Sequence, residues 1–113
     1  MLRPLIHKHF HKLSMATYLT LITFTAQGLQ NLHESPNRAA AFKAAAKKAG
    51  VKVTQVFWAL GEYDGAIVFE AKNDAAATGM MLALTGQGNV RTKTLRAFNA
   101  AEFSEIVTKL PKM

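Results

Sequence analysis

At 113 residues, with 14 basic against 7 acidic side chains, the chain has room for one hydrophobic core and carries a modest positive excess. Half of its residues are hydrophobic and only 19% are charged, which excludes a disordered chain and leaves more apolar surface than a small isolated domain readily hides. It has no cysteine, so disulfides, thiolate zinc sites and cysteine nucleophiles are excluded. The most apolar stretch, residues 18–29, is interrupted by Thr20, Thr23, Thr25 and Gln27, far short of the roughly 18 apolar residues that span a bilayer, so no membrane partner is expected.

Residues 1–14 hold Arg3, Lys8 and Lys12, no acid, and no apolar segment of secretory type. They read as an extension outside the fold, and with no leader recognised the expected location is cytoplasmic. His7, His9 and His11 alternate and would project to one side of an extended segment, but alternation without a fold behind it is a weak metal signal, and no metal site is expected. The domain proper is expected over residues 15–110, with 111–113 as a tail.

Residues 18–25 combine β-branched and aromatic types with both parities largely apolar, the pattern of a strand covered on two faces. A short helical turn over Leu29 and Leu32 is expected next. Ser35 before Pro36 predicts a helix start, with Ser35 as N-cap, and Ala39, Phe42, Ala46 and Ala49 keep helical spacing up to Gly50. Residues 51–60 and 66–71 read as two strands of a hairpin joined through a glycine-bounded turn, 61–65. Asn73 or Asp74 caps a second helix bearing Met80, Met81 and Leu84, methionines that fit core filling better than a cofactor site. Gly79 weakens that helix by about 1 kcal/mol relative to alanine. Residues 89–98 form the last strand, and Asn99 with Glu102 predicts a capped helix bearing Phe103, Ile106, Val107 and Leu110 before Pro111.

The order β-α-β-β-α-β predicts an α+β, ferredoxin-like fold: a four-stranded antiparallel sheet, order 4-1-3-2, with helices on one face and a short C-terminal helix beyond it. The other face keeps apolar side chains whichever parity is chosen, Tyr18, Ile22 and Phe24 or Leu19 and Leu21, Phe57 or Trp58. That predicts a binding surface or a face-to-face homodimer.

The string Trp58-Ala59-Leu60-Gly61-Glu62-Tyr63-Asp64, followed by Glu70-Ala71, Gly88-Asn89-Val90-Arg91-Thr92 and Thr94-Leu95-Arg96-Ala97-Phe98, resembles the GYD domain family of small bacterial proteins. The resemblance takes in Thr17-Tyr18, Thr25-Ala26-Gln27-Gly28, Glu34-Ser35-Pro36 and Arg38, and so spans nearly the whole domain. It implies a dimeric α/β-barrel, with the motif on Gly61, Tyr63 and Asp64. It supplies no function.

In the turn, Gly61 and Gly65 can provide positive φ, Asp64 can bond its own backbone, and Tyr63 can pack across the hairpin. The alternative is a ligand-contacting turn in which Tyr63 and Asp64 line a pocket mouth. On the last strand Arg91 and Lys93 share one face and Arg96 the other. An inward arginine reads as an ion pair with Glu62, Asp64 or Glu70, as an anion clamp, or as a solvated edge charge. Lys43, Lys47, Lys48 and Lys52 gather at a helix end, where cations suit the dipole. The strand 65–71 lacks the stacking aromatics of RNA-binding modules of this topology, so nucleic acid is not an expected partner. No glycine-rich phosphate loop, paired carboxylates or nucleophile motif is present, and His33 beside Glu34 and Ser35 makes no triad.

The expectation is therefore a homodimeric domain without cofactor that binds a small, partly apolar or aromatic ligand or a protein partner, with Trp58, Tyr63, Asp64 and Arg96 as candidate contacts. The alternative is a cofactor-independent oxygenase- or isomerase-like enzyme, by analogy of fold, with His33, Tyr63 or Asp64 in a closed apolar pocket. A third is a structural interaction module docking through its C-terminal helix.

Overall fold

A computed structural model describes residues 15–113. The expected extension over residues 1–14, with His7, His9 and His11, lies outside the described residues. The elements run β1 (Ala16–Phe24), α1 (Ala26–Gln30), a 3-10 turn (Leu32–Glu34), α2 (Ser35–Lys48), β2 (Lys52–Trp58), β3 (Gly65–Ala71), α3 (Asp74–Thr85), β4 (Val90–Ala97) and α4 (Ala100–Thr108). The strands form one antiparallel sheet in the order β2-β3-β1-β4, the ferredoxin-like arrangement.

Register decides the two faces. Tyr18 stands opposite Phe69 and Arg96, Thr20 opposite Ile67 and Thr94, and Val56 opposite Ile67. This parity meets Phe42 and Ala46 of α2 and Ala77, Met80 and Met81 of α3 to make the core, with both helices on that side. The Tyr18 and Phe69 rings stack with centroids 5.2 Å apart. Thr20 is fully buried, yet its hydroxyl is satisfied by Thr94 Oγ1 at 2.8 Å and Met81 Sδ at 3.3 Å, so it adds no unpaired polar group to the core. The opposite parity, Leu19, Leu21, Ala66, Val68, Phe57 and Leu95, forms a face that no element of the described chain is seen to cover.

Caps explain most boundaries. Asn73 accepts from Ala76 N–H to start α3, and Asn99 and Glu102 make a reciprocal capping box that starts α4. Gly50 takes a positive φ of 79° just past α2. One cap differs from expectation: Ser35 already has helical dihedrals and Glu34 is the N-cap, because the preceding 3-10 turn delivers the chain in a helical conformation. The Ser35 hydroxyl is thereby free of capping duty and accepts a hydrogen bond from Trp58 Nε1 at 2.9 Å.

Candidate functional site

The turn between β2 and β3 is built by three backbone or carboxylate bonds, all at Asp64. Its N–H donates to Ile22 O, its carbonyl accepts from Ala59 N–H, and its Oδ2 accepts from Phe24 N–H, each at 2.8 Å. The carboxylate thus reaches across to β1 instead of bonding locally, as the sequence suggested. Gly61 has the expected positive φ of 120°, but Gly65 does not. Its requirement is close approach, since a Cβ there would lie 2.7 Å from Phe57 O.

Trp58 and Asp64 come together at one end of the sheet, under α2. With Phe24, Ser35, Arg38 and Phe42 they line a cavity of about 60 Å³ between helix and sheet. A wider groove of about 340 Å³, walled by Phe24, Leu32, Pro36 and Ala59, shares Ser35, Trp58 and Asp64 with it. Trp58 is half exposed and stands between the two. Tyr63 is not with them. Its ring lies 5.6 Å from Lys93 Nζ, and Lys93 pairs opposite Leu21 on the open face.

Arg96 lies elsewhere again, at the far end of the helix-covered face. It lines a separate depression of about 360 Å³ with Tyr18, Asp74, Thr92 and Thr94. Its guanidinium sits over Phe98 at 4.4 Å and over Tyr18 at 5.7 Å, and donates to the carbonyls of Thr17 and Ala97. The expected carboxylate partner among Glu62, Asp64 and Glu70 is not there; among the described residues the ion pair is Lys109 with Glu105 at 3.2 Å. Aromatic faces and backbone carbonyls replace it, the pairing open to a planar guanidinium. Tyr18 OH donates to Asp74 Oδ1 at 2.6 Å, and burial first, then this bond to a carboxylate, pushes its pKa up to about 12.

His33 is exposed on the 3-10 turn. Among the described residues no cluster of three or more His, Asp or Glu could hold a metal, and no helix is long and apolar enough to cross a membrane.

Two features escaped sequence reasoning. Arg38 lines the Trp58 cavity; its Nη1 donates to Asn31 O at 2.7 Å, while its Nη2 is buried with no hydrogen-bond partner among the described residues. The second is a joint between two strings 60 residues apart. Thr25 N–H donates to Asn89 O at 3.1 Å, Thr25 Oγ1 donates to Gly88 O at 2.6 Å, and Gln27 Nε2 donates to Gln87 O and Asn89 Oδ1. A Cβ at Gly28 would sit 2.1 Å from Asn89 O, which is why that position in α1 is glycine. Long-range polar joints leave no periodicity in sequence, so neither could be found by spacing.

The fold and turn define a small α+β domain with one covered and one open sheet face, closed at one end by the Gly61-Glu62-Tyr63-Asp64 turn. The chain belongs to the GYD domain family, whose profile matches residues 18–107. It is 34% identical over 89 residues to a protein of Thermus thermophilus named glutamine synthetase and cystathionine beta-lyase binding protein, covering 78% of this chain and 94% of that one. No solved structure matches.

Proposed function

We propose that this chain is a homodimeric, non-catalytic domain that binds other proteins, with its open sheet face pairing copy to copy. The observation that carries the reading is that face itself, where Leu19, Leu21, Val68, Phe57 and Leu95 share one parity while the helices cover the other. Strands of this length, spaced about 4.8 Å apart, give a footprint of roughly 500 Å² per copy. Two copies would bury about 1,000 Å², the lower bound of a specific interface. The apolar stripe of α4, Phe103, Ile106 and Val107, is exposed by 41–57% and continues to Leu110. It adds the remaining surface for a partner.

The named binding activity of the Thermus relative supports metabolic enzymes as the partner class, glutamine synthetase and cystathionine beta-lyase first among them. Sedimentation velocity is expected to give a dimer, and biosensor titration against those two purified enzymes a saturable interaction that substitution of Phe103 by Glu weakens. A monomer at all concentrations removes the pairing, and absence of binding to both enzymes removes the partner assignment. A second reading, a small apolar ligand beside Trp58 and Asp64, is favoured by the cavity that these two residues line.

A further inference from the structure

Resting on that second reading, we propose that the Trp58 cavity is a binding site for small monocarboxylates with an apolar or aromatic body, α-amino acids included, and that Arg38 is the residue that recognises the carboxylate. Several polar groups of the cavity wall are engaged. Ser35 Oγ accepts from Trp58 Nε1, Asp64 Oδ2 accepts from Phe24 N–H, and Asn89 accepts through its carbonyl from Thr25 and through Oδ1 from Gln27. Among the described residues, the buried side-chain polar atom left without a hydrogen-bond partner is Arg38 Nη2. An unpaired buried guanidinium nitrogen is costly, and what satisfies it best is an anionic oxygen, in a short, charge-assisted bond.

One further feature favours an anion. Arg38 stands in the first turn of the 14-residue helix α2, at the positive end of its dipole, where a cation is disfavoured and a carboxylate is stabilised. Asp64 on the same wall works against negative charge, so with one Arg38 guanidinium to offset it the cavity favours a single carboxylate over a dianion.

The shape divides the ligand into two parts. The inner cavity, about 60 Å³, is of the order of a few water sites and holds a carboxylate group, not a drug-sized molecule. The groove outside, about 340 Å³ and walled by Phe24, Leu32, Pro36 and Trp58, is of the size of a small-ligand site and takes the body. Trp58, half exposed and tied through its indole N–H to Ser35, stands where the two spaces meet.

Trp58 is the sole tryptophan of the chain, so tryptophan emission of the full-length protein, excited beyond tyrosine absorption, reports on this site. The test titrates phenylacetate, L-phenylalanine and the uncharged phenylacetamide. Phenylacetate is expected to give a saturable change in emission, with phenylacetamide about 10- to 100-fold weaker, the range of one charge-assisted bond to a buried group. Arg38→Gln is expected to weaken phenylacetate by a similar factor and to leave phenylacetamide unchanged, while Lys43→Gln, on the same helix, changes neither. L-phenylalanine binding more tightly than phenylacetate assigns the site to amino acids, and the reverse order to simple carboxylic acids. Equal affinity for phenylacetate and phenylacetamide overturns the carboxylate assignment while leaving a ligand site. No response to any of the three overturns the site itself. Should Arg38→Gln fail to fold, the acid-to-amide comparison on the unaltered protein decides the question.

Discussion

Replacing Asp64 by alanine isolates what the turn does. The two backbone bonds at this residue, to Ile22 O and from Ala59 N–H, survive the change; what disappears is the Oδ2 acceptor that holds Phe24 N–H at 2.8 Å. Phe24 is half-buried at the end of β1, so its N–H is left poorly solvated. Loss of a charged acceptor from such a donor costs about 1.5–3 kcal/mol. For a domain of this size that is a fall in melting temperature of roughly 6–14 °C. Asp64→Asn keeps an acceptor and loses the charge, so about half of the stability is expected to return. Urea unfolding followed by Trp58 emission and by circular dichroism, at fixed protein concentration because self-association would otherwise contribute, measures both variants. An alanine variant within about 0.5 kcal/mol of the parent, or an asparagine variant as unstable as the alanine one, would refute the account of the turn as a clamp on β1.

Tyr18 predicts a pH dependence. Its folded pKa, about 12, is raised above the ordinary 10.0, so the neutral phenol is favoured in the fold. Its contribution is complete below pH 10 and is lost as pH rises through 12. Tyr18→Phe should therefore flatten the alkaline limb of the stability curve, and an unchanged limb in denaturant titrations would contradict this. Gly65→Ala should cost about 1–3 kcal/mol because the strand pair must part around Phe57 O, and Gly28→Ala should cost more, since the approach to Asn89 O is closer still. Thermal melts that rank them otherwise would show that the joints yield. Leu21→Lys, on the open face, is expected to shift the sedimenting species to monomer with little change in helix content; a dimer that persists would place the interface elsewhere.

The strand order and the helix-bearing face were legible because hydrophobic parity and capping residues are local signals. Asn99 with Glu102 announces the last helix three residues ahead of its need, and Gly50 marks the end of α2. Ser35 was misread because a serine before proline is a good cap only when the chain arrives extended, and here a 3-10 turn brings it in helical. The candidate site was half legible. Trp58 and Asp64 are brought together, but Tyr63 and Arg96 are in other places. Adjacent residues in a turn need not face one way, and sequence spacing within the motif carried no information on that point. Arg38 was visible only as part of a family string, because what marks it is a missing partner, and absence of a partner is a property of three dimensions.

The opposed directions of Tyr63 and Asp64 give the motif a coherent physical sense. Gly61 supplies the positive φ that turns the chain, Asp64 fastens the turn to the end of β1 beside the Trp58 cavity, and Tyr63 lies against Lys93, a residue of the open face. One turn therefore touches both surfaces that the proposals invoke, and it is tied to β1, a central strand that contributes Ile22 to one and Leu21 to the other. A residue change that loosens the clamp should disturb both surfaces, whereas a change at Tyr63 should act on the open face alone. Tyr63→Ala is accordingly expected to weaken self-association about 5- to 10-fold, the scale of one aromatic and cation contact, without altering Trp58 emission. A shift in that emission together with an unaltered dimer would mean that the tyrosine serves the cavity after all.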